Sequence, residues 1–157
     1  MAKHTMGTIG AMLLISSAAL AQQQAGDAAA IARIHADWTA AINDGQYESP
    51  MAMALWAPDL RGWAPGAAED SYAREAEGLR KYMQAYPRHA ASRPTFRFRI
   101  EETMVSGDLA FAHVLWTATD ADGVEQPTMR SFEIWRKQAD GSWRMSRYLE
   151  SPESGRG

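Results

Sequence analysis

Hydrophobic side chains recur at helical spacing in the first part of the chain. Gaps of 3, 4, 3 and 1 residues separate Ile31, Ile34, Trp38, Ala41 and Ile42. Such a stripe predicts an amphipathic helix that begins after Asp27, a favourable N-cap, and ends at residues 43–45, where Asn-Asp-Gly is typical of a helix stop.

A short helix and a short strand are predicted next. Ser49 followed by Pro50 is typical of an N-cap and a first helical residue, and Pro58 stops this second helix. Residues 60–64 are bounded by Pro and Gly, which predicts a short strand that carries Trp63.

The hydrophobic period then changes from helical to extended. Apolar gaps of 4, 3, 4 and 3 residues over 72–86 predict a third helix, which Pro87 closes. From Pro94 onward apolar and polar residues alternate, with turn signals at 106–108 and 140–141. The predicted strands cover residues 96–105, 109–119, 129–138 and 142–150. Helices followed by antiparallel strands predict an α+β fold, with three N-terminal helices on the concave face of a curved antiparallel sheet.

Residues 1–21 have the pattern of a signal peptide. A basic start precedes the mainly apolar residues 9–20, and Ala19 and Ala21 satisfy the small-x-small cleavage rule. A membrane anchor is the alternative, but it needs ~20 continuous apolar residues, and Gly and Ser dilute this run. We therefore expect a periplasmic or secreted protein that is not associated with a membrane after cleavage. The predicted organisation is a signal peptide over 1–21, a flexible leader over 22–26, one domain over 27–151 and a disordered tail over 152–157.

Composition narrows the classes of partner and cofactor. The 157 residues include 16 Lys+Arg against 19 Asp+Glu, so the chain lacks the basic excess of a nucleic-acid-binding protein. It has no Cys, which excludes disulfides and thiol catalysis, and four scattered His residues offer little for a metal site. We expect no nucleic acid, no metal and no cofactor.

The order of the predicted elements resembles the cone-shaped fold of the nuclear-transport-factor-2-like superfamily, in particular its SnoaL-like and DUF4440 branch. Four local strings carry the resemblance, at Trp38–Gly45, Leu55–Asp59, Val105–Ala110 and Gln138–Met145. The superfamily includes ketosteroid isomerases, polyketide cyclases, dehydratases and epoxide hydrolases. The resemblance therefore implies a fold with a cavity, and homodimers through the sheet are common in it, but it does not imply one reaction.

The catalytic residues of these relatives do not transfer to this chain. The resemblance places Trp38 where ketosteroid isomerases have a tyrosine and Ala64 where they have an aspartate, and neither side chain can move a proton. The cyclase pattern needs an aspartate inside the strands 96–105 and 109–119, which contain none. The dehydratase pattern needs two strand histidines, and only His113 is available. The catalytic residues are unknown from sequence.

Tryptophans are the first group of candidate binding residues. The chain has six, and we expect Trp38, Trp63, Trp116 and Trp143 to face the inside of the cone. They predict a pocket for a flat apolar ligand. The alternative is that they only fill the core.

The two histidines on predicted elements have competing interpretations. His35 is either a pocket acid/base or, as we favour, a hydrogen-bonded histidine of the core or its rim. If Gly107-Asp108 is a two-residue turn, His113 faces Glu102 and the two form a histidine–carboxylate pair. A one-residue bulge would instead place His113 on the outer face and turn Ala110, Ala112, Val114 and Trp116 inward, which we prefer.

Arginines on the last hairpin give the most specific prediction. The Asp140-Gly141 turn places Arg136 on one face with Phe132 and Ile134, and Arg147 on that same face across the pair. This apolar face is predicted to be the inner one, so Arg136 and Arg147 are expected to bind an anionic group inside the cone. The alternative is that they extend to the rim and form ion pairs there.

The opposite face of this hairpin is then the outer one. It would carry Trp135 with Ser131, Glu133, Ser146 and Tyr148, a mixed patch that predicts a homodimer interface.

The functional hypothesis is an exported protein that binds a small, partly apolar and anionic molecule through Trp38, Trp63, Trp116, Arg136 and Arg147. A cofactor-independent enzyme of unknown reaction is compatible with this hypothesis. The alternative is a noncatalytic dimeric interaction module.

Overall fold

Helices pack against one curved sheet in the computed structural model, which describes residues 17–46, 49–85, 94–125 and 129–152. The helices are α1 (Ser17–Asn43), α2 (Pro50–Met53) and α3 (Tyr72–Ala85). The strands are β1 (Trp56–Trp63), β2 (Asp70–Ser71), β3 (Thr95–Ser106), β4 (Leu109–Thr119), β5 (Met129–Lys137) and β6 (Trp143–Pro152). The prediction of an α+β fold is confirmed, and so are the four long strands to within a few residues.

Helix α1 begins well before the predicted N-cap. It starts at Ser17 and runs through residues 22–26, so the prediction of a flexible leader there is wrong. Alanine and glutamine have high helix propensity, so the helix extends through these residues. Asp27 therefore lies inside the helix and does not cap it. Its carboxylate accepts from Trp143 Nε1 at 2.9 Å and lies 2.7 Å from Lys137 Nζ, which ties the helix to β5 and β6. Residues 1–16 and 153–157, with most of the predicted signal peptide and tail, lie outside the described residues.

The second helix is shorter and the following strand longer than predicted. Ser49 caps α2 as expected, since its Oγ accepts from the Ala52 amide at 3.1 Å. The chain then enters β1 at Trp56 rather than at residue 60. Pro58 is accommodated because the pairing of β1 with β6 shifts register between Trp56 and Arg61, where a missing amide hydrogen costs little.

The sheet has the strand order β2-β1-β6-β5-β4-β3. Strand β1 runs parallel to β6, and all other neighbouring pairs are antiparallel. Helix α1 packs on the sheet, and Ile31 lies in the main core cluster with Trp135, Trp143 and Met145. Within the described ranges, no helix is long and apolar enough to cross a membrane.

The inner and outer faces of β5 are the reverse of the prediction. Ser131, Glu133 and Trp135 are buried, whereas Phe132 and Ile134 are exposed on the outer face. The predicted pairing is found from Ile134, which faces Arg147, to the far end of the hairpin. A register shift between Ile134 and Trp135 separates this part from the turn.

That shift also divides the faces of β6. Trp143 and Met145 point inward before it, and Tyr148 points inward after it, which leaves Arg147 and Leu149 outside. Apolar residues lie on both faces of the hairpin, so hydrophobicity alone misassigned the inner one.

Strand β4 combines parts of both alternatives for His113. His113 faces Glu102, as expected for a two-residue turn, and Ala110, Ala112 and Val114 are nevertheless buried. The register shift falls between Ile100 and Glu102. It turns Glu101 toward the outer face, where its Oε2 lies 3.4 Å from His113 Nδ1. The histidine–carboxylate pair therefore forms with Glu101, outside the cone.

Candidate functional site

A cavity of about 320 Å³ opens between α1, α3 and the inner face of the sheet. Every layer of the fold contributes to its wall, which is mainly aromatic and aliphatic with a few acidic groups. The lining residues are Trp38, Leu55, Trp56, Glu75, Phe96, Trp116, Thr117, Ala118, Met129, Ser131, Glu133, Met145, Tyr148 and Glu150. Its size and apolar character suit a small organic molecule.

Three tryptophans line the cavity, and the ring of Trp38 crosses the other two at steep angles. The rings of Trp38 and Trp116 have centroids 5.3 Å apart and cross at 78°. Those of Trp38 and Trp56 are 6.3 Å apart and cross at 68°. This edge-to-face arrangement is favourable for aromatic rings and fixes their orientation. Trp38 Nε1 is buried and has no hydrogen-bond partner among the described residues.

A cluster of carboxyl groups and one phenol lies on the side of α3. The Tyr148 hydroxyl is 2.9 Å from Asp70 Oδ2 and in direct contact with Glu75 Oε1. One hydroxyl has one hydrogen to donate, so a second carboxyl that bonds to the same oxygen must supply its own proton. Tyr148 thus links Glu75 and Asp70 into a chain that holds a proton on one of the carboxyls.

The environment of these groups raises their pKa values. Burial raises the pKa of Glu75 to about 7, against the Tyr148 hydrogen bond and with added repulsion from Asp70 and Glu150. Burial, with repulsion from Asp70 and Glu133, also raises the pKa of Glu150 to about 7. Burial raises the pKa of Tyr148 as well, and its bond to the neighbouring Glu75 adds to the effect. Glu75 and Glu150 therefore both change from the protonated to the ionised form near neutral pH.

Gly62 on β1 allows Tyr148 to occupy this place. The two residues are neighbours across the β1–β6 pair. A Cβ atom at position 62 would overlap the phenol ring, at atoms Cζ, Cε1 and Oη. The phenol therefore lies directly on the backbone of β1, and only glycine leaves room for it.

A second, buried polar network lies beside the tryptophans, and its members Ser131 and Glu133 form part of the cavity wall. His35 Nε2 lies 2.9 Å from Glu133 Oε2, and His35 Nδ1 lies 3.1 Å from the carbonyl of Ile31. Trp135 Nε1 donates to Glu133 Oε2 at 2.9 Å, and Ser131 Oγ donates to Oε1 at 2.6 Å.

The donors in this network converge on the Glu133 carboxyl. A carbonyl only accepts, so the contact with Ile31 requires a hydrogen on His35 Nδ1. Ser131 and Trp135 donate to the Glu133 carboxyl, which also bonds to His35 Nε2. The network also reaches the cavity, because Trp116 Nε1 donates to Ser131 Oγ at 3.0 Å. The preferred interpretation of His35, a hydrogen-bonded core histidine, is confirmed.

The structure brings only part of the predicted binding set to the cavity. Trp38 and Trp116 line it, as expected from their places on α1 and β4. Trp63 does not, since it is 42% exposed at the end of β1. Trp143 is buried in the core and bonds to Asp27 instead of lining the cavity.

The predicted arginine pair lies on the wrong side of the sheet for a cavity ligand. Arg136 Nη2 donates to Asp59 Oδ1 at 2.7 Å, and Arg147 Nη1 donates to the backbone oxygen of Asp59 at 2.9 Å. The Arg136 hydrogen bond lowers the pKa of Asp59. Both arginines thus fasten β5 and β6 to β1 on the outer face, which corresponds to the alternative of ion pairs outside the pocket. The basis for an anionic ligand at Arg136 and Arg147 is removed.

Sequence reasoning missed the acidic side of the cavity. Tyr148 and Glu150 alternate on β6 as inner residues, but the register shift in that hairpin reversed their predicted face. Glu75 lies on α3 among other charged residues, Arg74, Glu77, Arg80 and Lys81, so it gave no separate signal. A usable signal was Glu133, which lies between Phe132 and Ile134 and is the one acidic residue of β5.

Comparison with known proteins supports the architecture. The model of the SnoaL-like domain matches residues 35–145 of this chain. No curated protein matches it.

Solved structures share the fold at low sequence identity. An NTF2-like protein with a cystatin-like fold from Novosphingobium aromaticivorans has a TM-score of 0.72 and 19% identity, over 90% of this chain and 93% of that one. A ketosteroid isomerase-like protein from Erwinia carotovora atroseptica has a TM-score of 0.58 and 24% identity, over 80% and 95%. A conserved protein from Planctomyces limnophilus has a TM-score of 0.63 and 17% identity, over 83% and 100%. These likenesses show the fold alone.

Proposed function

Because this chain belongs to the SnoaL-like (NTF2-like) domain family, whose fold serves several chemistries, we propose its function from its own cavity: a cofactor-independent enzyme that moves protons on a small, mainly apolar molecule. The observation that carries the proposal is the pair Glu75 and Glu150. Both carboxyls line an otherwise apolar cavity, and both have pKa values raised to about 7. General acid–base catalysis is most efficient when the pKa of the catalytic group lies near the working pH.

The two carboxyls have different surroundings and therefore different roles. Glu75 is bonded to Tyr148, which also bonds to Asp70, so a proton taken up by Glu75 has a hydrogen-bonded route away from the cavity. The Glu150 carboxyl forms no hydrogen bond or ion pair with any of the described residues. Glu150 is thus the group that is free to contact a ligand and to take a proton from it. Glu75, with Tyr148, is the second acid–base group, which returns a proton to the ligand or accepts one from it.

A neutral carbon acid tests this function without knowledge of the natural substrate. Nitrobenzisoxazole suits the purpose: a carboxylate removes its ring C–H proton, the C–H electron pair forms a nitrile, and the N–O bond breaks to give a coloured phenolate. We expect turnover above that of acetate at the same concentration. The rate should rise with pH through a midpoint near the pKa of about 7, because only the ionised carboxylate is a base.

Matched variants identify the base. Glu150→Gln and Glu75→Gln should each lower kcat/KM at least about tenfold. Glu69→Gln is the control, because Glu69 is exposed and its carboxylate pairs with Arg61 outside the cavity. A rate no greater than that of acetate, or one unchanged in both cavity variants, would contradict the proposal.

We further propose that the protein is exported and forms a homodimer. The support for export is the pattern of residues 1–21.

The support for a dimer is an outer-face patch on β5 and β6, formed by Phe132, Ile134 and Leu149, which are 39%, 45% and 51% exposed. This patch replaces the predicted one around Trp135, which is buried. It also supports the alternative of an interaction module, in which the dimer rather than the cavity is the functional unit.

A further inference from the structure

The cavity has an excess of acidic groups that nothing in the described chain balances. Glu75 of α3 and Glu150 of β6 line the cavity, and Asp70 of β2 adjoins it through its bond to Tyr148. The three carboxyls repel one another, which contributes to the raised pKa values of Glu75 and Glu150. Within residues 17–46, 49–85, 94–125 and 129–152, no lysine, arginine or histidine forms a salt bridge with any of the three. Glu133, the remaining acid of the wall, is bonded to His35.

The tryptophan walls of the cavity also favour a positively charged ligand. Trp38 crosses both Trp56 and Trp116 at a steep angle, and all three line the same cavity. The face of an indole ring carries partial negative charge and attracts cations, most strongly where water is excluded. None of the lining residues is basic. An anion would therefore meet only repulsion and aromatic faces, whereas a cation would be attracted by both kinds of wall.

We propose that the ligand of this cavity is an organic cation, a protonated amine or a quaternary ammonium with an apolar body, held between the tryptophan walls and the carboxylates of Glu75 and Glu150. This inference rests on the proposed function, since it names the class of molecule on which the cavity acts. A cation beside Glu75 and Glu150 stabilises their ionised forms, so it also prepares the base of the proposed reaction.

Three probes of similar shape distinguish the ligand classes. Phenyltrimethylammonium is a permanent cation, tert-butylbenzene is its uncharged counterpart, and p-tert-butylbenzoate carries an anion. Affinities are measured on the full chain by tryptophan fluorescence. At a pH of about 8, where both carboxyls are mostly ionised, we expect the cation to bind at least about tenfold more tightly than tert-butylbenzene, and the benzoate to bind most weakly.

The unaltered protein provides a second, independent readout. As the pH falls below the carboxyl pKa of about 7, affinity for the cation should fall, while affinity for tert-butylbenzene should not. Near pH 7, binding of the cation should release protons from Glu75 and Glu150. Calorimetry in buffers of different ionisation enthalpy measures that release, and the titratable neighbours Asp70, Tyr148 and the His35–Glu133 pair are present in every arm.

Variants locate the effect. Glu75→Gln and Glu150→Gln should each lower the affinity for phenyltrimethylammonium by about tenfold and leave that for tert-butylbenzene within about twofold. Glu69→Gln should change neither, because it is exposed outside the cavity.

The outcomes separate the two proposals. If tert-butylbenzene or the benzoate binds as tightly as the cation, the cation inference is overturned while the ligand-binding cavity of the proposed function stands. If no probe binds and nitrobenzisoxazole is not converted, the proposed function itself fails. A cation preference that is independent of pH and of both variants also overturns the inference, because it places the cation away from Glu75 and Glu150.

Discussion

His35 on α1 and Glu133 on β5 are bonded at 2.9 Å across 98 residues of sequence, and neither side chain has any exposed surface. The pair joins the long helix to the middle of the sheet directly behind the cavity. Through Ser131 it also holds the indole of Trp116, which is one of the cavity walls.

We predict that Glu133→Gln destabilises the protein by about 3–5 kcal/mol, because it leaves the buried histidine without its carboxyl partner. Urea unfolding measures the change. Glu69→Gln, which breaks only an exposed ion pair, should change the free energy of unfolding by less than about 0.5 kcal/mol. A loss no greater than that of the control would contradict this role of Glu133.

The free energy of unfolding should fall as the pH rises from about 4.5 to about 7. Glu75 and Glu150 have pKa values of about 7 in the folded protein and about 4.5 when unfolded, so over this range the folded state binds more protons. The loss is on the order of 2 kcal/mol per carboxyl, and above about pH 7 the contribution of these groups is constant. Urea unfolding at several pH values checks this, and the double variant with Gln at positions 75 and 150 should show a flatter profile. A steeper decline in that variant would assign the effect to other groups.

Gly62→Ala should displace the phenol of Tyr148 and separate it from Glu75 and Asp70. The new Cβ atom would overlap the ring, and overpacking of this kind costs about 1–3 kcal/mol. We expect that loss of stability together with a large reduction in nitrobenzisoxazole turnover. Gly78→Ala on α3 is the matched control, because a Cβ atom there has no neighbour within 4 Å and alanine favours the helix by about 0.5–1 kcal/mol. Equal effects of the two substitutions would contradict the role of Gly62.

The outer patch of Phe132, Ile134 and Leu149 should hold two copies of the chain together. Ile134→Lys places a charge in the patch beside Arg147, its direct neighbour on β6, and should convert the dimer to a monomer. Val124→Lys is the control, since Val124 is exposed in the loop between β4 and β5. Light scattering at tens of micromolar, suited to a standard-size interface, distinguishes a mass of ~30 kDa from ~15 kDa. A parent protein of ~15 kDa would contradict the dimer.

Exported protein should begin at Gln22. Cleavage after Ala21 removes the first residues of α1 and leaves Gln24, whose side-chain amide donates to the backbone oxygen of Val105 on β3 at 3.1 Å. The shortened helix therefore remains attached to the sheet. Intact-mass measurement of exported material checks the site of cleavage, and a mass that includes Met1 would contradict it.

Local sequence signals were sufficient for the elements and insufficient for the site. The alternation that begins at Phe96 and the turn at Asp140-Gly141 predict strands and pairs that the structure contains, because they depend on neighbouring residues. The inner face of β5 could not be predicted in the same way. One reason is the hydrogen bond between Glu133 and His35, which lies far away in sequence. The other is a register shift that the hairpin sequence does not predict.

The acidic cluster illustrates the same limit. Glu75, Asp70 and Tyr148 lie on three different elements, and each has an ordinary sequence environment. They form a hydrogen-bonded chain only when β6 places the phenol between the two carboxyls. Conversely, Trp38 could be placed at the cavity from sequence, since the periodicity of α1 alone directs it toward the sheet.

The parallel pairing of β1 with β6 determines when the protein can assemble. Strand β1 is made early, but its edge is completed by β6, the last strand in the described part of the chain, with Trp56 beside Met145 and Gly62 beside Tyr148. Until the ribosome has released the C-terminal residues, β1 lacks its partner and the cavity has neither its phenol nor Glu150. A contact of such long range forms slowly, so the emerging chain stays open during synthesis. That delay would suit a chain that must be threaded across a membrane before it folds.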